Sequence, residues 1–227
     1  MLIVIEEFLS RDEVEKLKAK ALSGAWNDGR LTAGGLASNQ KHNRQLDDQQ
    51  EIAISCANFL LKKLGNNSKF VSAAIPHSIY PPRFNSYAVG ENYGVHVDAP
   101  IMSMPYSSDV MRSDVSGTIF LSDAADYDGG ELVIEGEFGS QEIKLNAGDM
   151  VVYPSSSLHQ VNNVTRGERV AAIFWAQSMV PDISARALLF DLDQSIQTLT
   201  NQGSVDADEL MRLSAVYHNL VRRWVQV

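Results

Sequence analysis

Apolar residues along this chain follow a helical period at both ends and short strand-like runs in the middle. Residues 2–5, Leu-Ile-Val-Ile, are an unbroken apolar run of strand length. Ser10-Arg-Asp-Glu13 then has the spacing of a capping box, with Leu9 and Val14 placed as a hydrophobic staple. Val14, Leu17, Ala21 and Leu22 recur on one side, which predicts a helix to about Leu22. Asp48-Gln-Gln-Glu51 offers a second capping box. Ile52, Ile54, Cys56, Phe59, Leu60 and Leu64 follow it and mark a helix closed by Gly65. Both helices are expected as a layer supporting a sheet. Between them, residues 27–45 set Gly29, Gly34 and Gly35 among polar side chains, with Lys41, His42 and Arg44 near the end. That composition predicts a long polar surface loop, and a lid or substrate-binding loop is the functional alternative.

From residue 70 to 178 the signal is β. Short runs at 78–80, 83–87, 94–98, 117–121, 131–134, 142–145, 150–153 and 170–175 are separated by Gly, Pro, Asn and Asp. A set of short strands spaced this way predicts a jelly roll, the double-stranded β-helix. Residues 100–114, rich in Met, Ser, Pro and Asp, read as a second loop beside the 94–98 run. Beyond residue 182 the helical period returns. Asp182 is placed to cap a helix bearing Ile183, Leu188, Leu189, Leu192, Ile196 and Leu199, and Gly203 breaks it. Asp206-Ala-Asp-Glu209 caps another, carrying Leu210, Leu213, Tyr217, Leu220, Val221 and Trp224. The fold class expected is α+β: a jelly-roll core at 78–178, an N-terminal helical support region at 1–77 and a C-terminal helical hairpin at 179–227. The hairpin is expected to pack on the barrel exterior or to serve as a homo-oligomer interface.

Composition narrows the function. With 227 residues, 44% of them hydrophobic, the chain can bury a substantial core. A net charge of −9 argues against a general nucleic-acid binder and leaves small molecules and peptides open as substrates. The single cysteine, Cys56, cannot form a disulfide within the chain and reads as a small buried hydrophobe. The N-terminus shows neither a basic leader nor an 18-residue apolar span. A cytoplasmic protein without membrane attachment is the expectation.

The candidate chemistry lies in the β region. His96 and Asp98 are two apart, which in a strand puts both side chains on one face with Cα atoms ~6–7 Å apart. His-x-Asp alone is a common surface tripeptide. His159 from another strand would complete a 2-His-1-carboxylate facial triad, which leaves positions open on an Fe(II) ion for co-substrate and O₂. Three ligands of this kind also suit catalytic zinc. Arg169, ten residues after His159, is either a surface ion pair that Glu168 joins or a planar fork that clamps a carboxylate. His42 reads as solvated, His77 as structural, His218 as a surface residue of the last helix, and Arg166 as solvent-facing in its turn.

The ordered set His96-x-Asp98, His159 and Arg169 resembles the Fe(II)/2-oxoglutarate-dependent dioxygenases, in their prolyl 4-hydroxylase-like branch. The longer pieces FNSYAVGENYGVHVDAP, SGTIFLSD, DGGELVI, GDMVVYPSSSLHQV and RGERVAAIFWAQS resemble the bacterial PKHD-type hydroxylases. The resemblance implies that His96, Asp98 and His159 ligate Fe(II), and that Arg169 binds the distal carboxylate of 2-oxoglutarate. Tyr87 is implied as a wall of the co-substrate pocket, and Tyr93 is a further candidate to face it. Phe120 stands where many relatives carry a hydroxylated aromatic, which puts more weight on Arg169 and Tyr87. Hydroxylation of an unactivated C–H with formation of succinate and CO₂ is implied, with ascorbate dependence. The substrate, a peptidyl or free amino acid or another small molecule, is left open. Two other readings stand beside this one: a cupin-like Zn(II) or Mn(II) enzyme that does not use 2-oxoglutarate, and a non-catalytic sensor of iron or a metabolite.

Overall fold

The protein was analysed as a computed structural model, which describes every residue except Ala33, Glu137, Ser204 and Val227, and all side chains but those and residues 35–37. Local chemistry sets the first helix. In α1 (Arg11–Leu22) the Ser10 side chain accepts from the Glu13 amide while the Glu13 carboxylate accepts from the Ser10 amide. Val14, Leu17 and Ala21 face the core, whereas Leu22 is exposed rather than on the inner side as expected. α2 (Glu51–Asn66) begins later than the Asp48 capping pattern predicts. Its N-cap is Gln50, without a side-chain cap, because Asp48 pairs with Arg83 at 3.0 Å instead. Gly65 lies within this helix and does not close it. The short α3 (Ser68–Ala74), capped by Asn67, falls where the sequence reads as the start of the β region.

Two antiparallel sheets form the core. The larger runs, in spatial order, Ile3–Ile5, Met150–Pro154, Val115–Phe120, Arg169–Ser178, Arg83–Tyr87, Arg44–Leu46, Trp26–Asp28, with Pro76–Ile79 also paired to Arg169–Ser178. The smaller runs Gly139–Ile143, Leu132–Gly136, His159–Val161, Asn92–His96, Lys41–His42. Residues of both sheets share one apolar interior, Tyr87, Phe120 and Val151 from the larger meeting Leu132, Ile134 and Val161 from the smaller. This sheet-rich architecture agrees with a jelly-roll core. The Arg169–Ser178 strand shows how the layers divide. Val170, Ala172 and Ala176 pack with Leu60, Leu64 and Phe70 of the helices on one face. Arg169, Ile173 and Trp175, on the opposite face, line a cavity between the sheets.

Both predicted loops are more regular than expected. Residues 27–45 contain 3-10 turns at Gly29–Thr32 and Gly35–Gln40 and three short strands shared between the sheets. Residues 100–114 form a hairpin of Ile101–Ser103 with Val110–Arg112. Strand ends also shift: the expected 94–98 strand is Asn92–His96, so Asp98 lies beyond it. Two helices complete the chain, α4 (Ile183–Gln202) and α5 (Ala207–Trp224), capped by Asp182 and Asp206. Ala185 and Leu189 of α4 cluster with Tyr217, Val221 and Trp224 of α5. Among the described residues no helix is long and apolar enough to cross a membrane.

Candidate metal centre and active site

His96 and His159 are direct partners across neighbouring strands of the smaller sheet, which sets their rings 4.2 Å apart between centroids. Each ring is oriented by its own backbone. His96 Nδ1 donates to the Gly94 carbonyl at 2.8 Å, and His159 Nδ1 donates to the Ser157 carbonyl at 3.0 Å. Those contacts assign the Nδ1–H tautomer to both and leave each Nε2 lone pair facing inward. Asp98 reaches the same point from just beyond the strand. Its Oδ2 accepts from Ser116 Oγ at 2.5 Å, and Ser155 Oγ lies 2.8 Å from Ser116 Oγ. His159 Nε2 stands 3.8 Å from Asp98 Oδ2, and one donor atom from each of the three residues lies within 4.8 Å of the others. Burial, and then the facing His159 ring, hold the His96 pKa down to about 4, so this imidazole is neutral at neutral pH. Tyr93 stacks on the His96 ring with centroids 3.6 Å apart. Two imidazoles and a carboxylate converging at this spacing fit a divalent ion bound on one side.

Arg169 opens the strand that pairs with Arg83–Tyr87, and its register partner is Tyr87. It is 1% exposed. The guanidinium carbon lies 5.3 Å from the Tyr87 ring centroid and 5.3 Å from that of Phe120. Among the described residues its Nε and Nη1 have no hydrogen-bond partner. Glu168, the partner expected for a surface ion pair, turns away to Arg44 at 2.6 Å. A buried guanidinium with unused donors calls for an anion of matching fork geometry. Gly130 makes room for it: at φ +66° its backbone is left-handed, and a Cβ there would stand 3.1 Å from Arg169 Cδ.

The triad, Arg169 and Tyr87 all line one cavity of about 380 Å³ between the sheets. Tyr93 lines it too, and Phe120 packs against the Arg169 guanidinium rather than supplying a hydroxyl. His42, His77 and His218 are exposed and stand outside the cavity's lining, and Arg166 pairs with Asp128 at 2.7 Å on the surface. The sequence did not point to Lys41, Arg83 and Asn85 as cavity residues, nor to Ser116 as the support of Asp98. Only sheet pairing across the chain brings them there. Strand alternation is the one signal that would have put two of them, Arg83 and Asn85, on a common face with Tyr87.

Comparison with known proteins agrees with this geometry. The model of the 2OG-Fe(II) oxygenase superfamily matches residues 82–177, and that of the PKHD-type hydroxylase C-terminal domain matches residues 184–226. The chain is 54% identical over 226 residues to a PKHD-type hydroxylase of Teredinibacter turnerae, covering 100% of both chains. It is 52% identical over 226 residues to one from Acidovorax ebreus, again covering 100% of both. Among solved structures it is similar to a Pseudomonas putida prolyl-4-hydroxylase, with TM-score 0.55, 21% identity, and 78% of this chain and 92% of that one covered. It is also similar to HygX from Streptomyces hygroscopicus with nickel, 2-oxoglutarate and hygromycin B bound, with TM-score 0.56, 13% identity, and 78% and 82% covered. At those identities the solved structures speak to the fold, while the relatives align from end to end at about half identity. On that ground the chain belongs to the PKHD-type hydroxylases, oxidoreductases of the 2OG-Fe(II) oxygenase superfamily.

Proposed function

We propose that His96, Asp98 and His159 hold Fe(II), and that Arg169 beside Tyr87 receives the distal carboxylate of 2-oxoglutarate. The chain then hydroxylates an unactivated C–H of its primary substrate, with formation of succinate and CO₂. The observation that carries this reading is the buried Arg169 guanidinium, with two unpartnered nitrogens, lining the same cavity as the three converging donors. Such a cation argues against a cupin-like zinc site that does not use 2-oxoglutarate, and 2-oxoglutarate binding separates the two readings. The bound metal supplies Lewis acidity and O₂ activation at the positions that the triad leaves open. The protein's own residues do the rest. Arg169 fixes the far end of the co-substrate through two parallel hydrogen bonds. Tyr87 and Phe120 give the guanidinium a dry setting, which strengthens that contact. Ser116 holds Asp98, and the two backbone carbonyls hold the imidazoles, so the donors are preorganised. Residues 78–178 form the catalytic unit in this reading, with the helices on either side as support and α4 with α5 as its C-terminal hairpin.

The test is anaerobic. Fe(II) and then 2-oxoglutarate are added to metal-free protein, and the visible charge-transfer band of the chelate is recorded for wild type and Arg169→Ala. A band that needs both additions, and needs about tenfold or more 2-oxoglutarate in the variant, is the expected result. Tight metal binding without any band would remove the assignment.

A further inference from the structure

We propose that the cavity carries a second anion subsite, built by Lys41 of the smaller sheet with Arg83 of the larger, and that it binds a carboxylate of the primary substrate. Lys41 is 5% exposed, yet among the described residues its Nζ meets only neutral oxygens: Thr32 Oγ1 at 2.9 Å and Gln45 Oε1 at 3.2 Å. Among the described residues no carboxylate makes an ion pair with it. A buried ammonium without a counter-ion is costly to keep, and an incoming anion relieves that cost. Arg83 adds a second cation on the same cavity. Its guanidinium donates to the Tyr80 hydroxyl at 2.8 Å and meets Asp48 at 3.0 Å, but its buried Nε is unpartnered. Asn85 Oδ1, also buried and unpartnered, lines the cavity with them.

Placement separates Lys41 from the Arg169 clamp, and Arg83 sits at the far end of the strand whose Tyr87 is in register with Arg169. Lys41 belongs to the smaller sheet, in register with Tyr93, and its Nζ stands 5.4 Å from the Tyr93 ring that stacks on His96. Arg169 belongs to the larger sheet and is flanked by Tyr87 and Phe120. Burial first and Arg83 second depress the Lys41 pKa, while Asp98 and then Asp28, itself paired with Arg30, oppose them, so Lys41 sits within electrostatic reach of the metal donors. Charge accounting assigns the anion to the substrate, and this step rests on the function proposed above. Asp98 and a 2-oxoglutarate dianion balance a divalent metal and Arg169, and Asp48 balances Arg83. Among the described cavity residues Lys41 remains, which matches one carboxylate. A substrate anchored there by its carboxylate turns a nearby C–H toward the His96, Asp98 and His159 side of the cavity.

The test uses full-length protein loaded with Zn(II), with isotope-labelled lysine followed by NMR. Isobutyrate and its neutral counterpart isobutyramide are titrated with and without saturating 2-oxoglutarate, and Lys41 is identified by difference from Lys41→Arg. Isobutyrate is expected to move the Lys41 signal saturably in both conditions, with isobutyramide at least about tenfold weaker. Lys41→Met should weaken isobutyrate by about tenfold or more and leave 2-oxoglutarate affinity within about twofold, while Arg169→Ala should do the reverse. Displacement of isobutyrate by 2-oxoglutarate, equal binding of the amide, or a Lys41 signal that neither compound moves would overturn the subsite. If Lys41→Met does not fold, the wild-type titration and the charge-retaining Lys41→Arg decide. A protein that binds isobutyrate at Lys41 but no 2-oxoglutarate would keep this subsite and reject the function above.

Discussion

Ser116 fixes Asp98 more firmly than the strand before it does. Asp98 lies two residues past the end of Asn92–His96, so strand pairing does not fix its backbone, whereas Ser116, only 2% exposed, donates directly to its carboxylate. Ser116→Ala should therefore weaken metal binding by about tenfold to a hundredfold with unchanged circular dichroism. Competition against a chelator measures it, and an unchanged affinity would show that the ion alone orients Asp98. Gly130→Ala tests the other end of the cavity. A Cβ at this left-handed position would stand 3.0 Å from Tyr127 Cε2 and 3.1 Å from Arg169 Cδ. We expect a rise of about tenfold in the 2-oxoglutarate concentration needed for half-saturation, with metal affinity retained. That the triad and Arg169 come together was legible through the family resemblance that their order carries, whereas residue types alone left Arg169 open to a surface ion pair. Lys41 and Ser116 were not, because a lysine among polar neighbours and a serine in a strand look ordinary until sheet pairing buries them.

Among the elements, α1 was legible, Leu22 apart, because its signals are local: a reciprocal cap at Ser10 and Glu13, and Val14, Leu17 and Ala21 on one side. Ser10→Ala should cost about 1 kcal/mol of stability in denaturant unfolding. The metal site lies elsewhere, so its affinity should not follow. α2 misled because Asp48 has a tertiary partner, Arg83, that outcompetes the local cap. Residues 27–45 misled for a similar reason. Their strands are two or three residues long, too short to show a period, and Lys41 and Gln45 are polar because they face the cavity rather than water. Polarity there marks a lined site, which composition alone cannot distinguish from a wet loop.

For the whole molecule, Lys41 makes a pH-dependent contribution with a definite sign. Burial brings its pKa from 10.5 to about 8. Between those values the unfolded chain binds more protons than the folded one, so this group's penalty is complete below about pH 8 and fades as pH rises toward 10.5. The stability of Lys41→Met relative to wild type should thus be greatest below pH 8 and decline across that window, by an amount on the order of a few kcal/mol. A pH-independent difference in thermal or denaturant melts would contradict it. The presence of a sheet-rich core was legible in the eight short runs, but the order of strands was not, since it depends on pairings such as Ile3–Ile5 with Met150–Pro154. That order gives the metal site a mechanical meaning. His96 and His159 hang from the smaller sheet, while Asp98 is tied through Ser116 to the larger. An ion gripped by all three is a rivet through both plates of the shell. Stripping it with a chelator should let the plates part more often, and amide exchange should quicken on the Val115–Phe120 and His159–Val161 strands while α1 keeps its protection.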